Sequence, residues 1–268
     1  MEKKFKLGVI GAGFMASAII SGVISSKVLE ANQIAVSDLN TESLEKLAKK
    51  GVYTTQDNFE LVNSSEFVLF AVKPQSLNDV LNAIKTAKCD KFISIMAGVK
   101  KEKIKAVFNN SCVARCMPNT PCAIGSGAIG IDCSDFSDNA DVEFIKNLFD
   151  SIAEVVFLPE EKMNAVTGIS GSSPAYFYLF LKGIIEAGVK NGIDYVDAKK
   201  LATATMIGAG KMVVNNPDKT LDDLINAVCS KGGTTIEAIK TFEQCELSSI
   251  TGKAIDACIK RASELEKL

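Results

Sequence analysis

The feature that most constrains this chain lies near its N-terminus, where an apolar run is followed at once by closely spaced glycines. Residues Phe5–Ile10 alternate like a strand, Gly11 and Gly13 follow, and a helix-forming stretch continues through Ile24. In such a unit the first glycine permits a tight turn, the second lets a pyrophosphate approach the backbone, and Ala16 keeps the helix close to the sheet. The N–H groups that begin the helix favour a bound anion. The pattern predicts dinucleotide binding; the alternative is a glycine turn in an α/β protein that binds no cofactor.

Asp38 bears on the kind of dinucleotide. It follows a second apolar run, Ile34–Val36, and lies roughly 20 residues beyond the glycine motif, where an acidic residue holds the adenine ribose in such units. A carboxylate there accepts from both ribose hydroxyls and repels a 2′-phosphate, and no arginine occurs in Leu39–Thr41. The residues alone favour NADH. The alternative is that Asp38 caps the next helix or turns outward.

Composition excludes several classes of function. The chain has 268 residues, and its 30 basic and 32 acidic residues give a net charge of -2, so nothing attracts a nucleic acid. No apolar stretch is long enough for a membrane span, and glycines interrupt the N-terminal run, which argues against a signal peptide. We therefore expect a cytoplasmic protein with no membrane partner.

The cysteines and the absence of histidine restrict the chemistry. The chain has eight cysteines, without a CxxC pair, and no histidine, so we expect no metal site and interpret the cysteines as small buried thiols in a reducing compartment. A Ser-His-Asp triad is excluded. Any general acid or base must be a lysine, tyrosine, cysteine, carboxylate, hydroxyl or water.

The pattern of apolar residues divides the chain into two parts. In the first part strands alternate with helices, which predicts an α/β fold with a mainly parallel sheet. After Pro159 only helical patterns remain, so we predict a dinucleotide-binding domain over residues 1–160 and a helical domain over 161–268. Strands are predicted at Phe5–Ile10, Ile34–Val36, Phe67–Val72, Phe92–Ile95, Val113–Met117, Ala123–Ile131 and Ala153–Leu158. Further helices are predicted at Thr41–Lys50, Ser76–Lys85, Ala140–Asp150, Pro174–Asn191, Val196–Asn215, Leu221–Val228, Thr234–Phe242 and Leu247–Leu268.

The helical part is too apolar for a simple solvated bundle. Its glycines would let helices approach closely, and symmetric pairing is the usual outcome for such surfaces. We therefore predict a homodimer built from these helices. The glycines concerned are Gly168, Gly183, Gly188, Gly208 and Gly210.

Six segments, in order along the chain, resemble pyrroline-5-carboxylate reductase, which reduces the cyclic imine L-1-pyrroline-5-carboxylate to L-proline in proline biosynthesis. The segments are 11–15, 71–74, 96–99, 115–121, 167–176 and 232–235. The resemblance implies a Rossmann-type domain, a helical domain that dimerises and binds substrate, an active site shared between subunits, and NADPH or NADH as cofactor. Oligomers of dimers are also compatible with it. Enzymes of this family more often prefer NADPH, which conflicts with our interpretation of Asp38, so the preference stays open.

Motif and resemblance together predict the cofactor site. By resemblance Asn58 contacts the adenosine ribose, and the Lys73-Pro74 loop lies near the nicotinamide ribose. Asn119 could bond the nicotinamide carboxamide; the alternative is a turn residue that satisfies its own backbone. The full predicted set is Gly11, Gly13, Phe14, Met15, Asp38, Asn58, Ala71, Val72, Lys73, Pro74, Met96, Ala97, Gly98 and Asn119.

The predicted substrate site lies in the helical part. Gly232, Gly233 and Thr234 open a helix whose N–H groups suit the substrate carboxylate. By resemblance Thr235 places its hydroxyl by the ring nitrogen, as the catalytic hydrogen-bonding partner and proton relay, and Ser230 lines the same pocket. The alternative is an ordinary helix cap.

Two positions depart from the family pattern, which puts the substrate range in doubt. Lys231 stands where the family has proline, and Ser173 stands where it has glycine.

Three other functions compete with this interpretation. A reductase of a related cyclic imine would share the site. A β-hydroxyacid dehydrogenase resembles the layout, but the lysine of its GxxGxGxxxK pattern falls here on Phe177, where no ammonium group can act. A non-catalytic dinucleotide-binding regulator is the third.

Overall fold

The computed structural model describes residues 3–267, so Leu268, predicted to end the last helix, and the first two residues of the predicted 1–160 domain lie outside it. The chain divides into two compact units. One comprises the described residues up to Ser172 together with those from Cys258 onward, and the other is Ser173–Ala257. Within residues 3–267 no helix is long and apolar enough to cross a membrane.

The first unit contains one eight-stranded sheet, in the order β3-β2-β1-β4-β5-β6-β7-β8. All neighbouring strands are parallel except β6 and β7, so the predicted mainly parallel α/β fold is confirmed. The strands are β1 Phe5–Ile10, β2 Ile34–Ser37, β3 Tyr53–Thr55, β4 Ser65–Phe70, β5 Lys91–Ser94, β6 Cys112–Met117, β7 Gly127–Asp132 and β8 Ala153–Phe157.

The helices of the first unit are connections between these strands, followed by a short helix after β8. Five of them begin with a capped or acidic first turn, and Asp57, for example, accepts from the N–H groups of Phe59 and Glu60. They are α1 Phe14–Ser25, α2 Thr41–Ala48, α3 Asn58–Ser64, α4 Leu77–Ile84, α5 Lys101–Lys105, α6 Asn139–Asp150 and α7 Met163–Val166.

Both faces of the sheet are buried, which explains why its central strands are continuous apolar runs. On β4, Phe67 and Leu69 face one hydrophobic cluster, whereas Val68 and Phe70 face the other. All four are fully buried. Strands covered by helices on both sides require apolar residues at successive positions, and this requirement produces the pattern seen in the sequence.

Several elements differ from the sequence-based prediction. The strand predicted at Ala123–Ile131 was wrong at its start, because Thr120–Ile124 forms a 3₁₀ turn and β7 begins only at Gly127. Gly125 between them is left-handed, with φ 68°. The elements β3, α3, α5 and α7 were not predicted. They have 3, 7, 5 and 4 residues, too few for a clear period in the sequence.

A network of buried charges ties the C-terminal segment to the sheet of the first unit. The Arg115 guanidinium on β6 lies 3.2 Å from Glu160 and 2.8 Å from Glu266, and it is only 4% exposed. Lys101 pairs with Asp132 at 2.7 Å and with Asp135 at 2.8 Å. Burial alone would lower the pKa of Lys101, but the hydrogen bonds to these carboxylates raise it above its usual value.

The thiols of the first unit include three that are buried. Cys116, Cys122 and Cys133 are buried, as predicted, whereas Cys245 of the second unit is exposed. Burial raises the pKa of Cys133 to about 12 and that of Cys116 well above its usual value. Both thiols therefore stay protonated at neutral pH, where a protonated thiol is a poor nucleophile.

The second unit is helical throughout and has a small core. Its buried apolar side chains are Ile185, Ala198 and Ala202. Helices α8 and α9 approach closely at Gly188, where an added Cβ would lie 3.2 Å from that of Ala198. The helices are α8 Ser173–Lys190, α9 Tyr195–Val214, α10 Leu221–Val228, α11 Thr234–Gln244 and α12 Leu247–Leu265, whose residues from Cys258 onward belong to the first unit.

Candidate active site

Gly11 makes the turn at the end of β1 and can be no other residue without strain. Its φ of 103° lies in the region that favours glycine, and an added Cβ would lie 2.8 Å from the carbonyl oxygen of Ala71. Its N–H donates to the carbonyl of Ser37 at 2.7 Å. The turn is thus held between the ends of β2 and β4.

Gly13 has the opposite surroundings. Its φ is -70°, which any residue can adopt, and no described heavy atom lies within 4 Å of the position of a Cβ. It precedes α1, whose first turn carries no acidic residue and receives no side-chain cap from the described residues. The N–H groups at the start of α1 are therefore open to an anion, and the space beside Gly13 lets that anion come close.

A cavity of about 440 Å³ opens beside this turn. It lies where the connections from β1 and β4 leave the sheet on opposite sides, which is the usual ligand position in doubly wound folds. Seven of the fourteen predicted cofactor residues line it: Gly11, Gly13, Asp38, Asn58, Ala71, Val72 and Lys73.

Asp38 reaches the glycine turn from the end of β2. One carboxylate oxygen accepts from the N–H of Ala12 at 2.6 Å, and the other accepts from the N–H of Asn40 at 2.8 Å. Asp38 therefore faces the glycine turn. Its two bonds do not cap α2, because the side-chain cap of that helix is provided by Asn40. Next to it the Ser37 hydroxyl donates to the side-chain oxygen of Asn58 at 2.6 Å.

Lys73 lies on the other side of the turn, after β4. It is exposed and lines the cavity, and Pro74 opens the 3₁₀ turn Pro74–Ser76 directly after it. The N–H of Ser76 donates to the carbonyl of Lys73 at 2.9 Å. This bond and the fixed φ of Pro74 define the course of the loop.

The other predicted cofactor residues lie elsewhere. Phe14 is exposed and lines a neighbouring cavity of about 420 Å³ beside α1, and Met15 packs against the core. Met96 is buried in the second hydrophobic cluster, and Ala97 follows it, half-buried. Gly98 is left-handed, and an added Cβ would lie 3.0 Å from that of Leu265. The 96–98 loop is thus covered by the C-terminal segment.

Asn119 is engaged with protein backbone. Its side-chain nitrogen donates to the carbonyl of Ser170 at 3.2 Å, and its side-chain oxygen accepts from the N–H of Ala128 at 3.0 Å. The side chain is 8% exposed. Asn119 thus joins two other segments of the chain and does not satisfy its own backbone, as the alternative had it, while its contact with the carboxamide stays a prediction.

Sequence reasoning missed several residues of the cavity. Ser37 is a polar residue that follows the apolar run Ile34–Val36, and Gln56 belongs to the unpredicted segment around β3. Asp79 and Val80 lie in a correctly predicted helix, but only the strand order shows that its first turn borders the site. The full set missed is Ile10, Ser37, Leu39, Gln56, Ser76, Asp79 and Val80.

The predicted substrate residues form one tight turn in the second unit. Gly232 is left-handed, with φ 73°, and Gly233 precedes α11. The N–H of Gly233 donates to the carbonyl of Ser230 at 3.0 Å, and an added Cβ on Gly233 would lie 2.4 Å from the Ser230 hydroxyl. Thr234 and Thr235 begin the helix, so the structure brings all five predicted substrate residues together.

Comparisons with known proteins match this chain over its whole length. It is 34% identical to pyrroline-5-carboxylate reductase of Vibrio alginolyticus over all of both chains, and 36% identical to that of Haemophilus influenzae over 98% of both. The solved reductase of Coxiella burnetii has a TM-score of 0.91 at 30% identity, covering 99% of this chain and 100% of that one.

The chain belongs to the pyrroline-5-carboxylate reductase family.

Two family models match separate parts of the chain. Residues 6–98 match a model described as NADP oxidoreductase coenzyme F420-dependent, and residues 160–265 match one described as pyrroline-5-carboxylate reductase dimerisation. The solved Plasmodium falciparum reductase, with NADP bound, has a TM-score of 0.85 at 26% identity, covering 99% of this chain and 100% of that one. The predicted dimerising helical region is therefore confirmed.

Both departures from the pyrroline-5-carboxylate reductase pattern fall at turns. Lys231 is exposed and lies in the turn before Gly232, where a lysine keeps the N–H group that proline lacks. Ser173 begins α8, directly after a π-helical turn over Thr167–Gly171. Nothing in the structure explains why either residue replaces the usual one.

Proposed function

We propose that the protein reduces L-1-pyrroline-5-carboxylate to L-proline with NAD(P)H, as a homodimer acting in proline biosynthesis. The observation that carries this proposal is the full-length match to pyrroline-5-carboxylate reductases, combined with an open glycine turn beside a cavity of about 440 Å³. When bound, the reduced nicotinamide supplies a hydride.

The residues around the glycine turn fit a dinucleotide. The uncapped start of α1 and the open space at Gly13 suit the pyrophosphate. Asn58 and Asp38 would hold the adenosine ribose on the side of β2, and Lys73 would lie on the side of β4. Within the predicted set, Phe14 and Met15 contribute their N–H groups to the first turn of α1.

The turn before α11 fits the substrate. The N–H groups that open this helix would bind the carboxylate, and the Thr235 hydroxyl would hydrogen-bond the ring nitrogen. Hydride transfer to a C=N bond depends mostly on positioning, and a protonated imine already carries the electron deficiency. A threonine therefore suffices where a stronger acid is absent, which suits a chain without histidine.

Thr235→Ala tests this role. Loss of the hydroxyl should lower kcat with pyrroline-5-carboxylate by about 100-fold, while the affinity for NAD(P)H stays unchanged. The measurement is the loss of NAD(P)H absorbance on adding pyrroline-5-carboxylate, next to a direct coenzyme titration. Thr235→Ser keeps the hydroxyl and should restore most of the rate. If Thr235→Ala turns over as fast as the wild type, Thr235 has no part in the reaction.

The same assay separates the other functions. Oxidation of NAD(P)H by another cyclic imine alone would indicate a related reductase. Coenzyme binding without turnover of any imine would indicate a regulator. A β-hydroxyacid dehydrogenase would reduce the coenzyme with an alcohol substrate, although Phe177 stands where that family has its lysine.

The location and the domain boundary also remain proposals. We place the protein in the cytoplasm, because its buried thiols are free and a reducing compartment keeps them so. We place the boundary between dinucleotide-binding and dimerising domains at residue 160, where the dimerisation model begins. The compact units instead divide at Ser172, since α7 and the π-helical turn stay with the sheet.

A further inference from the structure

We propose that Asp38 makes this protein an NADH-preferring reductase, which discriminates against the 2′-phosphate of NADPH. The inference rests on the proposed function, because it names the coenzyme of that same site. Asp38 lines the cavity, and its two bonds to the N–H groups of Ala12 and Asn40 fix the carboxylate at the glycine turn. These two bonds oppose a movement of the carboxylate away from a larger coenzyme.

The strand order assigns Asp38 to the adenine-ribose end of the coenzyme. A dinucleotide that places its pyrophosphate at the end of β1 extends toward β2 on one side and toward β4 on the other. Asp38 follows β2, whereas Lys73 follows β4, and these strands lie roughly 10 Å apart across β1. The ammonium group of Lys73 therefore belongs to the other half of the coenzyme.

The segment after Asp38 offers no cation to a 2′-phosphate. Residues 39–45 contain no lysine or arginine. The next lysine, Lys46, lines the neighbouring cavity, and its ammonium group is paired with Glu42 at 2.7 Å. Lys50 donates to the Ser21 hydroxyl.

The arginines are committed elsewhere. The chain has two, and a guanidinium is the group best suited to a bidentate grip on phosphate. Arg115 is buried between Glu160 and Glu266, and Arg261 pairs with Glu264. A 2′-phosphate would thus meet the carboxylate of Asp38 with no arginine to offset the repulsion, whereas a free 2′-hydroxyl would donate to it.

A kinetic comparison tests the proposal. With pyrroline-5-carboxylate as substrate, the wild type should show a kcat/KM for NADH at least about tenfold above that for NADPH. Asp38→Asn should lower this ratio at least about tenfold, mainly through a lower KM for NADPH. Glu45→Gln is the matched control: it removes the same charge from an exposed position of α2 that does not line the cavity, and the ratio should change less than about twofold.

A second measurement covers the case in which Asp38→Asn fails to fold. Wild-type protein is titrated with NADH and with NADPH in the absence of substrate, and NADH should bind at least about tenfold more tightly. Tighter binding of NADPH, or equal shifts in Asp38→Asn and Glu45→Gln, would overturn the proposal. If neither coenzyme is oxidised with pyrroline-5-carboxylate, the proposed function fails, and titration of the wild type and of Asp38→Asn with both coenzymes still decides the role of Asp38.

Discussion

In the first unit many apolar side chains are fully buried on both faces of the sheet, whereas the buried apolar side chains of the second unit are Ile185, Ala198 and Ala202, each still 5–9% exposed. The second unit exposes large apolar residues instead, along both of its long helices. On α8 these are Phe177, Tyr178, Leu179, Phe180, Ile184 and Val189, and on α9 they are Tyr195, Val196, Leu201, Ile207, Met212, Val213 and Val214.

This difference shows which unit buries enough apolar surface to be stable within a single chain. Ordering a residue costs about 1–2 kcal/mol of backbone entropy, and a unit that buries few apolar side chains cannot offset that cost alone. Contiguous exposed apolar surface of this kind marks a protein interface. The dimerisation model covers the same residues, so the second unit completes its core with the matching unit of another subunit.

The comparison extends to function. The glycine turn, which we propose binds the coenzyme, is held by a sheet whose core is complete within one chain. The turn before α11, which we propose binds the substrate, belongs to the unit whose apolar surface needs a partner. Coenzyme binding should therefore be less sensitive to dimerisation than imine reduction.

The largest expected effect is on the dimer dissociation constant, when a charge is introduced into the apolar surface of the second unit. Ile207 is 55% exposed near the middle of α9, and Ile207→Glu would place a charge on the apolar surface that we expect to pair in the dimer. The dimer dissociation constant should rise at least about 1,000-fold, or about 4 kcal/mol, with loss of imine reduction. Sedimentation measures the dissociation, and coenzyme titration shows whether the first unit still binds NAD(P)H.

Val156→Glu is the matched control in the first unit. Val156 is 50% exposed on β8, which is the edge strand of the sheet, where charged residues are well tolerated. This variant should remain dimeric and active. If Val156→Glu dissociates, or if Ile207→Glu remains an intact dimer, the dimer interface is not formed by the second unit as described.

A smaller effect tests how the first unit holds the C-terminal segment. Glu266→Gln leaves the buried Arg115 guanidinium with Glu160 as its charged partner, and the free energy of unfolding should fall by about 2 kcal/mol. Glu264→Gln is the control, because its pair with Arg261 is exposed and should contribute less than about 1 kcal/mol. Denaturant unfolding of both variants measures the difference. Equal stability would show that the C-terminal segment is held by apolar packing alone.

Much of the first unit could be predicted from the sequence, because each major strand leaves a local signal. The Phe5–Ile10 run, the glycine turn and the acidic residue after β2 are close in sequence, and the structure brings them together as expected. The start of β7 was misplaced because apolar residues in the 3₁₀ turn Thr120–Ile124 imitate a strand. The helical second part and its dimerisation could likewise be predicted from the sequence, since apolar residues recur along α8 and α9 in excess of what a solvated bundle needs.

Other features have no local signal. The ion pair between Arg115 and Glu266 joins residues far apart in the chain, and no sequence pattern around either residue predicts the contact. The return of the C-terminal segment to the first unit was missed for the same reason. Asn119 was assigned to the cofactor from its position after a strand, but its partners Ser170 and Ala128 are fixed only by the packing of the loop.

The most direct test of the account is a coenzyme titration of two glycine variants, with their melting temperatures. Gly13→Ala fits the free protein without strain, so Tm should stay as in the wild type while the affinity for NAD(P)H falls at least about tenfold. Gly11→Ala should lower both, because the new Cβ meets the Ala71 carbonyl at a φ that suits glycine alone. Wild-type affinity in Gly13→Ala would contradict the claim that this turn binds the dinucleotide.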